Sequence, residues 1–184
     1  NEDGHTANHL FIPWWGHKAQ AKGELDFPRG YHFEVGSGFH EPGSWVSGEL
    51  DGYGVKLKQQ ARDHYGAYIG FALRGEMLPN KHSYMEIDDE AKDKWGIPVA
   101  KFHFKWSDHE LKQIEHGLKT AKLLLESMGA EVDELPPAEK AISKGGQIIH
   151  EVGTTRMGSS AKDSVTNQWG QTWDVENHYV MDGG

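Results

Sequence analysis

The sequence predicts an α+β fold in which a mainly antiparallel sheet is flanked by helices. Short alternating apolar patterns fill roughly the first half of the chain, and one long amphipathic pattern follows them. The regular strand-helix alternation of a parallel sheet is missing from this order. With 184 residues, of which 36% are hydrophobic, the chain is long enough to bury a core.

Alternating apolar residues and turn-forming residues predict the strands. In the most alternating stretch, Ala100, Phe102, Phe104 and Trp106 occupy one face and polar residues separate them. An acidic run at residues 88–93 is predicted to form the turn before this strand. The predicted strands span residues 9–15, 31–35, 53–60, 66–73, 83–87 and 98–106.

The long helix is predicted at residues 107–128. Ser107 and Glu110 have the spacing of a capping box, in which each side chain satisfies an unpaired amide at the helix start. Gly129 is predicted to end the helix, because glycine adopts the left-handed conformation at that position. The apolar stripe comprises Leu111, Ile114, Leu118, Ala121, Leu125 and Met128.

A change of segment is predicted at Pro136-Pro137. We place an α+β region at residues 1–135 and a second region at residues 136–184. A short helix is predicted at residues 138–144, just after the prolines.

Composition excludes several classes of partner. The chain has 28 acidic and 19 basic residues, a net charge of −9, and no concentrated basic face that would bind nucleic acid. No apolar run approaches the roughly 20 residues of a membrane-spanning helix. With zero cysteines, disulfides and cysteine nucleophiles are also excluded.

The most concentrated chemical signal lies at residues 145–158. Apolar residues lead to His150, and glycines then permit a turn, so the imidazole is expected at a strand end facing a ligand. A histidine there can act as a general base, because its pKa lies near the working pH. Thr154 and Thr155 can donate to anionic or carbonyl groups, and Arg156 is expected to shape the loop. The alternative is a structural histidine bonded to a backbone carbonyl.

No metal site is predicted. His5 and His9 are four residues apart, but their segment has weak helix propensity and no third ligand at a suitable spacing. The acidic run at 88–93 is more typical of a solvated turn than of a calcium site.

Aromatic residues near the start leave two interpretations open. They can form a platform on which a sugar ring stacks, or they can pack as an aromatic core. The residues concerned are Trp14, Trp15, Tyr31, Trp45 and Tyr53.

Three sequence blocks resemble the glucose-methanol-choline (GMC) oxidoreductases. HEVGTTRMG at 150–158, with SVTN at 164–167 and NHYVMDGG at 177–184, is similar to the C-terminal signature of that family. GEMLPN at 75–80 and DKWGIPV at 93–99 resemble its substrate-domain block. FPRGY at 27–31 is similar to the branch that oxidises sugars, gluconate and glycosides.

The resemblance implies oxidation of an alcohol CH–OH group, of a sugar or glycoside, with hydride transfer to N5 of FAD. His150 matches the histidine that takes the hydroxyl proton, and Asp182 and Gly183 match a turn that contacts the cofactor. A dehydrogenase is favoured over an oxidase. The bacterial branch makes cytoplasm or periplasm the expected compartment, and the electron acceptor stays unassigned.

By the same resemblance, the chain is expected to be a fragment that is inactive in isolation. The glycine motif of a Rossmann-like FAD-binding domain does not occur, and a second catalytic His or Asn is expected beyond residue 184. The missing FAD-binding portion of the same protein is therefore an expected partner. Two alternatives remain: a lyase of the same fold that uses the histidine for acid/base chemistry, and a stand-alone carbohydrate-binding module without cofactor.

Overall fold

The computed structural model describes residues 10–37, 50, 52–64, 69–132, 134–147 and 152–183. The chain divides into two compact units. Unit 1 comprises Asn1–Glu76 and Asp108–Glu139, and unit 2 comprises Met77–Ser107 and Lys140–Gly184. Antiparallel sheets and helices are present, which confirms the predicted α+β class. The boundary that the sequence predicts after residue 135 rests on Pro136-Pro137, and it stays a prediction.

Unit 1 is built on a three-stranded antiparallel sheet. Strand β1 (Leu10–Ile12) pairs with β2 (Tyr31–Ser37), and β2 pairs with β3 (Ile69–Gly75). The alternation in β2 is clear, because Tyr31, Phe33 and Val35 are buried while the residues between them are partly exposed. Three of the predicted strands are thus confirmed, with their ends shifted by a few residues.

The core of unit 1 lies on one face of this sheet. Phe33 is 1% exposed, and its ring lies 5.3 Å from that of Tyr31 and 5.5 Å from that of Phe71. Aromatic rings at such separations stabilise the fold through favourable ring–ring contacts as well as through the apolar area they bury. The partly buried residues packed against the cluster are Ile12, Trp14, Leu25, Phe71, Leu73, Ala121 and Leu124.

The strand predicted at residues 53–60 is wrong. After a short helix α1 (His17–Ala21), this segment forms helix α2 (Gly54–His64). Gln59 donates to Asp63 at 2.7 Å one turn later, and the Gly52 amide donates to Gln60 at 3.0 Å. Four alternating residues were too short a pattern to outweigh a longer run rich in good helix formers.

Helix α3 (Asp108–Ser127) begins directly after Ser107, as predicted. Gly129 has φ +83°, its amide donates to the Glu126 carbonyl, and the Ala130 amide donates to the Leu125 carbonyl, both at 3.0 Å. These two bonds form the Schellman motif that glycine favours at a helix end. The predicted end at Gly129 is confirmed.

The buried face of α3 differs from the predicted stripe. Its buried residues are Glu110, Gln113 and Gly117, whereas Met128 is 57% exposed. The Gln113 side-chain amide donates to the Gly30 carbonyl at 3.0 Å. Gly117 and the hydrogen-bonded side-chain amide of Gln113 therefore face the sheet. The apolar stripe lies beside this contact.

We expect Gly117→Ala to destabilise unit 1. Alanine improves helix propensity by about 1 kcal/mol. However, a Cβ at Gly117 would lie 1.8 Å from Cδ1 of Leu73, and such overpacking costs about 1–3 kcal/mol. Urea unfolding should show a net loss of stability. Adding Leu73→Ala removes the clash, so the double variant should lose less than the sum of the two single losses; simple additivity would contradict the close approach.

His116 joins helix α3 to the aromatic core. Its Nδ1 lies 2.7 Å from the Tyr31 hydroxyl, and its ring lies 5.3 Å from Phe27 and 6.0 Å from Trp14. Burial lowers the pKa of His116 and the nearby Lys119 ammonium lowers it further, while Asp26 opposes them. Burial thus favours the neutral imidazole in the folded unit.

Stability should fall as the pH decreases through about 6.5, the ordinary histidine value. Because the folded pKa of His116 lies below the unfolded value, the unfolded chain binds the proton first in this window. Urea unfolding at a series of pH values measures the slope. His116→Gln should reduce it, and His109→Gln, at an exposed position of the same helix, should not. Equal slopes in all three proteins would exclude His116 as the source.

Unit 2 contains a β-hairpin of β4 (Tyr84–Lys92) and β5 (Pro98–His103). The predicted acidic turn at 88–93 is wrong, because the strand continues through it with an irregularity between Ile87 and Lys92. Asp88 accepts the amides of Glu90 and Ala91 at 2.9 Å, which accommodates the irregularity within the strand.

The hairpin turn lies at residues 93–96. The Asp93 carboxylate accepts the amides of Trp95 and Ile97, both at 2.9 Å, and Gly96 has φ +83°. This Asx-type turn reverses the direction of the chain between β4 and β5. The predicted helix at 138–144 is shorter than expected and forms α4 (Ala138–Ala141).

Candidate functional site

The sequence-predicted site residues fall in unit 2. His150 lies outside the described residues. Asp182 and Gly183 are described, and both are exposed near the end of the chain. The site can therefore be built from the residues that follow His150 and from the Asp182-Gly183 turn.

Three isolated backbone pairings hold this part of unit 2 together. Met157 pairs with Thr166, Thr166 pairs with Thr172, and Gln171 pairs with Tyr179. The Gly158 amide donates to the Thr166 carbonyl at 2.9 Å, and Thr166 is 2% exposed. Thr166 is thus the buried centre around which the segment folds.

Arg156 braces the loop that follows it. Its Nε donates to the Asp163 carbonyl at 2.7 Å, and its own carbonyl accepts the amides of Val165 and Thr166 at 3.0 and 3.3 Å. A charged donor to a carbonyl is stronger than a neutral one. These contacts fit the predicted role of Arg156, which was to hold the shape of the loop.

The two ends of the C-terminal motif lie against each other. Thr155 Oγ1 donates to Asp182 Oδ1 across a long distance of 3.5 Å. A Cβ placed on Gly183 would lie 2.9 Å from Cγ1 of Val152, so a larger residue would force one segment to move. Thr155 was expected to donate to an anionic or carbonyl group, and its described side-chain acceptor is the Asp182 carboxylate.

Sequence reasoning missed Asn167. Its side-chain oxygen accepts the amides of Trp169 and Gln171 at 2.9 and 3.2 Å, and its amide donates to the Gln171 side chain at 3.0 Å. Gly170, with φ +73°, completes this turn. An asparagine three residues before a glycine is the signal that indicates such a turn.

Large apolar side chains are exposed around the turn. Met181 is 86% exposed, Trp169 is 72% exposed and Val152 is 68% exposed. Val152 faces Gly183, and a Cβ on Gly170 would lie 3.6 Å from the sulfur of Met181. These side chains form an exposed apolar surface around the turn.

In unit 1, the structure brings together Trp14, Trp15 and Tyr31 of the proposed aromatic platform. The Trp14 ring centroid lies 4.7 Å from that of Tyr31 and 6.5 Å from that of Trp15. Tyr31 is buried, whereas Trp15 and Tyr53 are 52% and 88% exposed. Trp45 lies outside the described residues.

Within the described ranges, no group of three or more His, Asp or Glu side chains is placed to hold a metal ion. His5 and His9 lie outside those ranges. No helix within the described part of the chain has the length and apolar character needed to cross a membrane.

Comparison with known proteins bears on the same region. A family model described as GMC oxidoreductase matches residues 79–184. The 2-methyl-1,2-propanediol dehydrogenase of Mycolicibacterium austroafricanum is 28% identical over 161 residues, which are 85% of this chain and 28% of that protein. The gluconate 2-dehydrogenase flavoprotein of Pantoea cypripedii is 24% identical over 131 residues, which are 70% of this chain and 21% of that protein.

The chain spans about a quarter of the length of these curated relatives. The family match covers more than half of the chain and includes the hairpin, the Arg156 loop and the Asp182-Gly183 turn. The chain therefore belongs to the GMC oxidoreductase family.

Proposed function

We propose that this chain is part of an FAD-dependent dehydrogenase that oxidises an alcohol CH–OH group, with His150 as the general base. The contact between residues 152–155 and the Asp182-Gly183 turn carries the proposal, because it joins two motif blocks far apart in sequence. Both relatives are named dehydrogenases and one is named a flavoprotein. A sugar or related polyol is the proposed substrate class.

The Asp182-Gly183 turn suits a contact with a flavin cofactor. The turn is exposed, so a flat ring can reach its backbone. Among the described elements, none forms the strand, glycine turn and helix that cradle a dinucleotide. We assign most of the cofactor binding to a portion of the protein outside this chain, because the chain spans about a quarter of the length of its curated relatives. When bound, FAD supplies the acceptor for the hydride that leaves the substrate carbon.

The chain's own residues would position and deprotonate the substrate. His150 precedes Val152 by two residues, and Val152 faces the turn that we assign to the cofactor. An imidazole beside this turn would accept the proton of the substrate hydroxyl as the carbon is oxidised. Arg156 and Asn167 would keep the loop and the turn in place through their backbone contacts.

The exposed apolar side chains support a partner portion of the same protein. Met181, Trp169 and Val152 surround the turn that would meet the cofactor. Burying such side chains contributes about 1.5–3 kcal/mol each. Packing against the flavin-binding portion would thus cover this surface and bring the turn to the flavin.

The test is loss of flavin absorbance in the protein that carries this chain together with its flavin. The protein is mixed anaerobically with D-glucose, D-gluconate or 2-methyl-1,2-propanediol. At least one alcohol should bleach the flavin and yield one carbonyl product per flavin. A carbonyl or alkene product without bleaching would favour the lyase, and sugar binding by a protein that contains no flavin would favour the binding module.

A further inference from the structure

The β-hairpin of unit 2 has two unlike faces. Side chains that pair across an antiparallel ladder point to the same face, so Met85 with Phe102 and Ile87 with Ala100 form one of them. Met85 is 42% exposed, Ile87 is 57% exposed and Phe102 is 69% exposed. None of these four residues is charged. We call them the apolar face of the hairpin.

The opposite face satisfies its own polar groups. The Tyr84 ring stacks on His103, with centroids 4.3 Å apart and planes 12° apart. His103 Nε2 lies 2.9 Å from Glu86 Oε1, and Lys101 Nζ lies 3.7 Å from Asp88 Oδ2. A hairpin with one polar and one apolar face is typical of an antiparallel sheet that meets water on one side and packs on the other.

The apolar face is covered beyond one end of β5. Phe104 follows Phe102 by two residues, the spacing that keeps side chains on one face of an extended segment. A Cβ on Gly145 would lie 2.9 Å from the Phe104 ring, and Trp106 Nε1 donates to the Ser143 carbonyl at 2.8 Å. Among the described elements, β4 and β5 pack chiefly against each other, so the rest of the face is open.

A two-stranded hairpin is marginally stable in water unless its apolar face is packed. The three exposed side chains alone cannot supply the roughly 800 Å² per partner that a stable interface between separate molecules needs. A segment of the same polypeptide needs less area, because the connecting chain keeps its local concentration high. This chain spans about a quarter of the length of its curated relatives, so a protein of that length has ample further chain to supply such a segment.

We propose that the apolar face of the hairpin packs against an uncharged, apolar surface of the same polypeptide from outside residues 1–184. The contact involves neither the Asp182-Gly183 turn nor the exposed side chains around it. It rests on the proposed function only in requiring that a longer protein carries this chain.

Hydroxyl-radical labelling of that longer protein, read by mass spectrometry, tests the contact. Tyr84 and Phe102 lie on opposite faces of the hairpin, and both rings react with the radical. Each rate is divided by that of the same residue in the urea-unfolded protein. For Phe102 this ratio should fall about tenfold or more below what 69% exposure predicts, to the level of a core residue. Tyr84 should keep the ratio of a side chain that is 48% exposed.

Labelling of Phe102 at the ratio of an open side chain would overturn the contact. Equal protection of Tyr84 and Phe102 would overturn its assignment to the apolar face. The experiment is repeated after dilution, because protection that fades with concentration would identify a second copy of the protein as the occupant and would overturn the proposal as well.

Two threonine variants of the longer protein give an independent measurement. Ile87→Thr keeps a β-branched strand residue but removes apolar surface, and it should lower the melting temperature by about 2–4 °C. Lys101→Thr, on the polar face, loses an exposed ion pair with Asp88 and should shift it by less than about 1 °C. Equal shifts would overturn the proposal. Neither measurement uses the redox reaction, so failure here leaves the flavin-bleaching test intact, and failure of that test leaves both measurements readable.

Discussion

His150→Ala should slow substrate-dependent flavin reduction by about 10²-fold or more, the usual contribution of a general base. The substrate hydroxyl must lose its proton as the hydride leaves, and without the imidazole the proton would have to pass to water or to a less well placed acceptor. The rate is measured by anaerobic rapid mixing at saturating alcohol, so that weaker binding does not contribute to the change.

The pH dependence separates a base from a structural histidine. In the unaltered protein, reduction should slow as the pH falls through the pKa of the base in the complex. In His150→Ala this limb should disappear, because the group that titrates is missing. A merely structural role would lower the rate at every pH and leave the shape of the profile unchanged.

His109→Ala is the matched control, because His109 is exposed on α3 and lies outside the C-terminal motif. Its reduction rate should remain within about twofold of the original. If His150→Ala also reduced flavin at the original rate, another group would have to be the base. Flavin absorbance of each variant before mixing shows whether the cofactor is retained.

Local sequence signals predicted the regular elements well where they extended over many residues. The helix at residues 108–127 and its end at Gly129 were predicted from local signals, namely the start signal at Ser107, the apolar periodicity and the glycine itself. The four-residue alternation at Val55-Lys58 gave a wrong strand prediction, because the residues that follow it favour a helix and the whole segment is helical. The acidic run at 88–93 was also misassigned, because a strand accommodated it by a backbone irregularity.

Tertiary contacts could not be predicted from local patterns. The motif resemblance identified the Asp182-Gly183 turn, but no spacing rule indicated that Gly183 would lie against Val152. Likewise, the rotation of α3 that buries Gly117 depends on the shape of the sheet beneath it. Such contacts follow from packing between distant segments, which periodicity does not encode.

Phe33→Ala should destabilise unit 1 by about 3–5 kcal/mol, the usual cost of truncating a buried phenylalanine. The residue is 1% exposed, pairs with Ile12 on one side and Leu73 on the other, and lies between aromatic neighbours. It occupies the middle strand, so the surrounding sheet cannot close the cavity without moving both neighbouring strands.

Phe11→Ala tests the same sheet on its opposite face. Phe11 is 55% exposed, and its truncation should cost less than about 1 kcal/mol. Urea unfolding, followed by circular dichroism, gives both values under identical conditions. Equal losses would mean that the faces of β1 and β2 are assigned wrongly. A large difference, in contrast, requires Phe33 to point into the core while Phe11 and His32 lie on the opposite face.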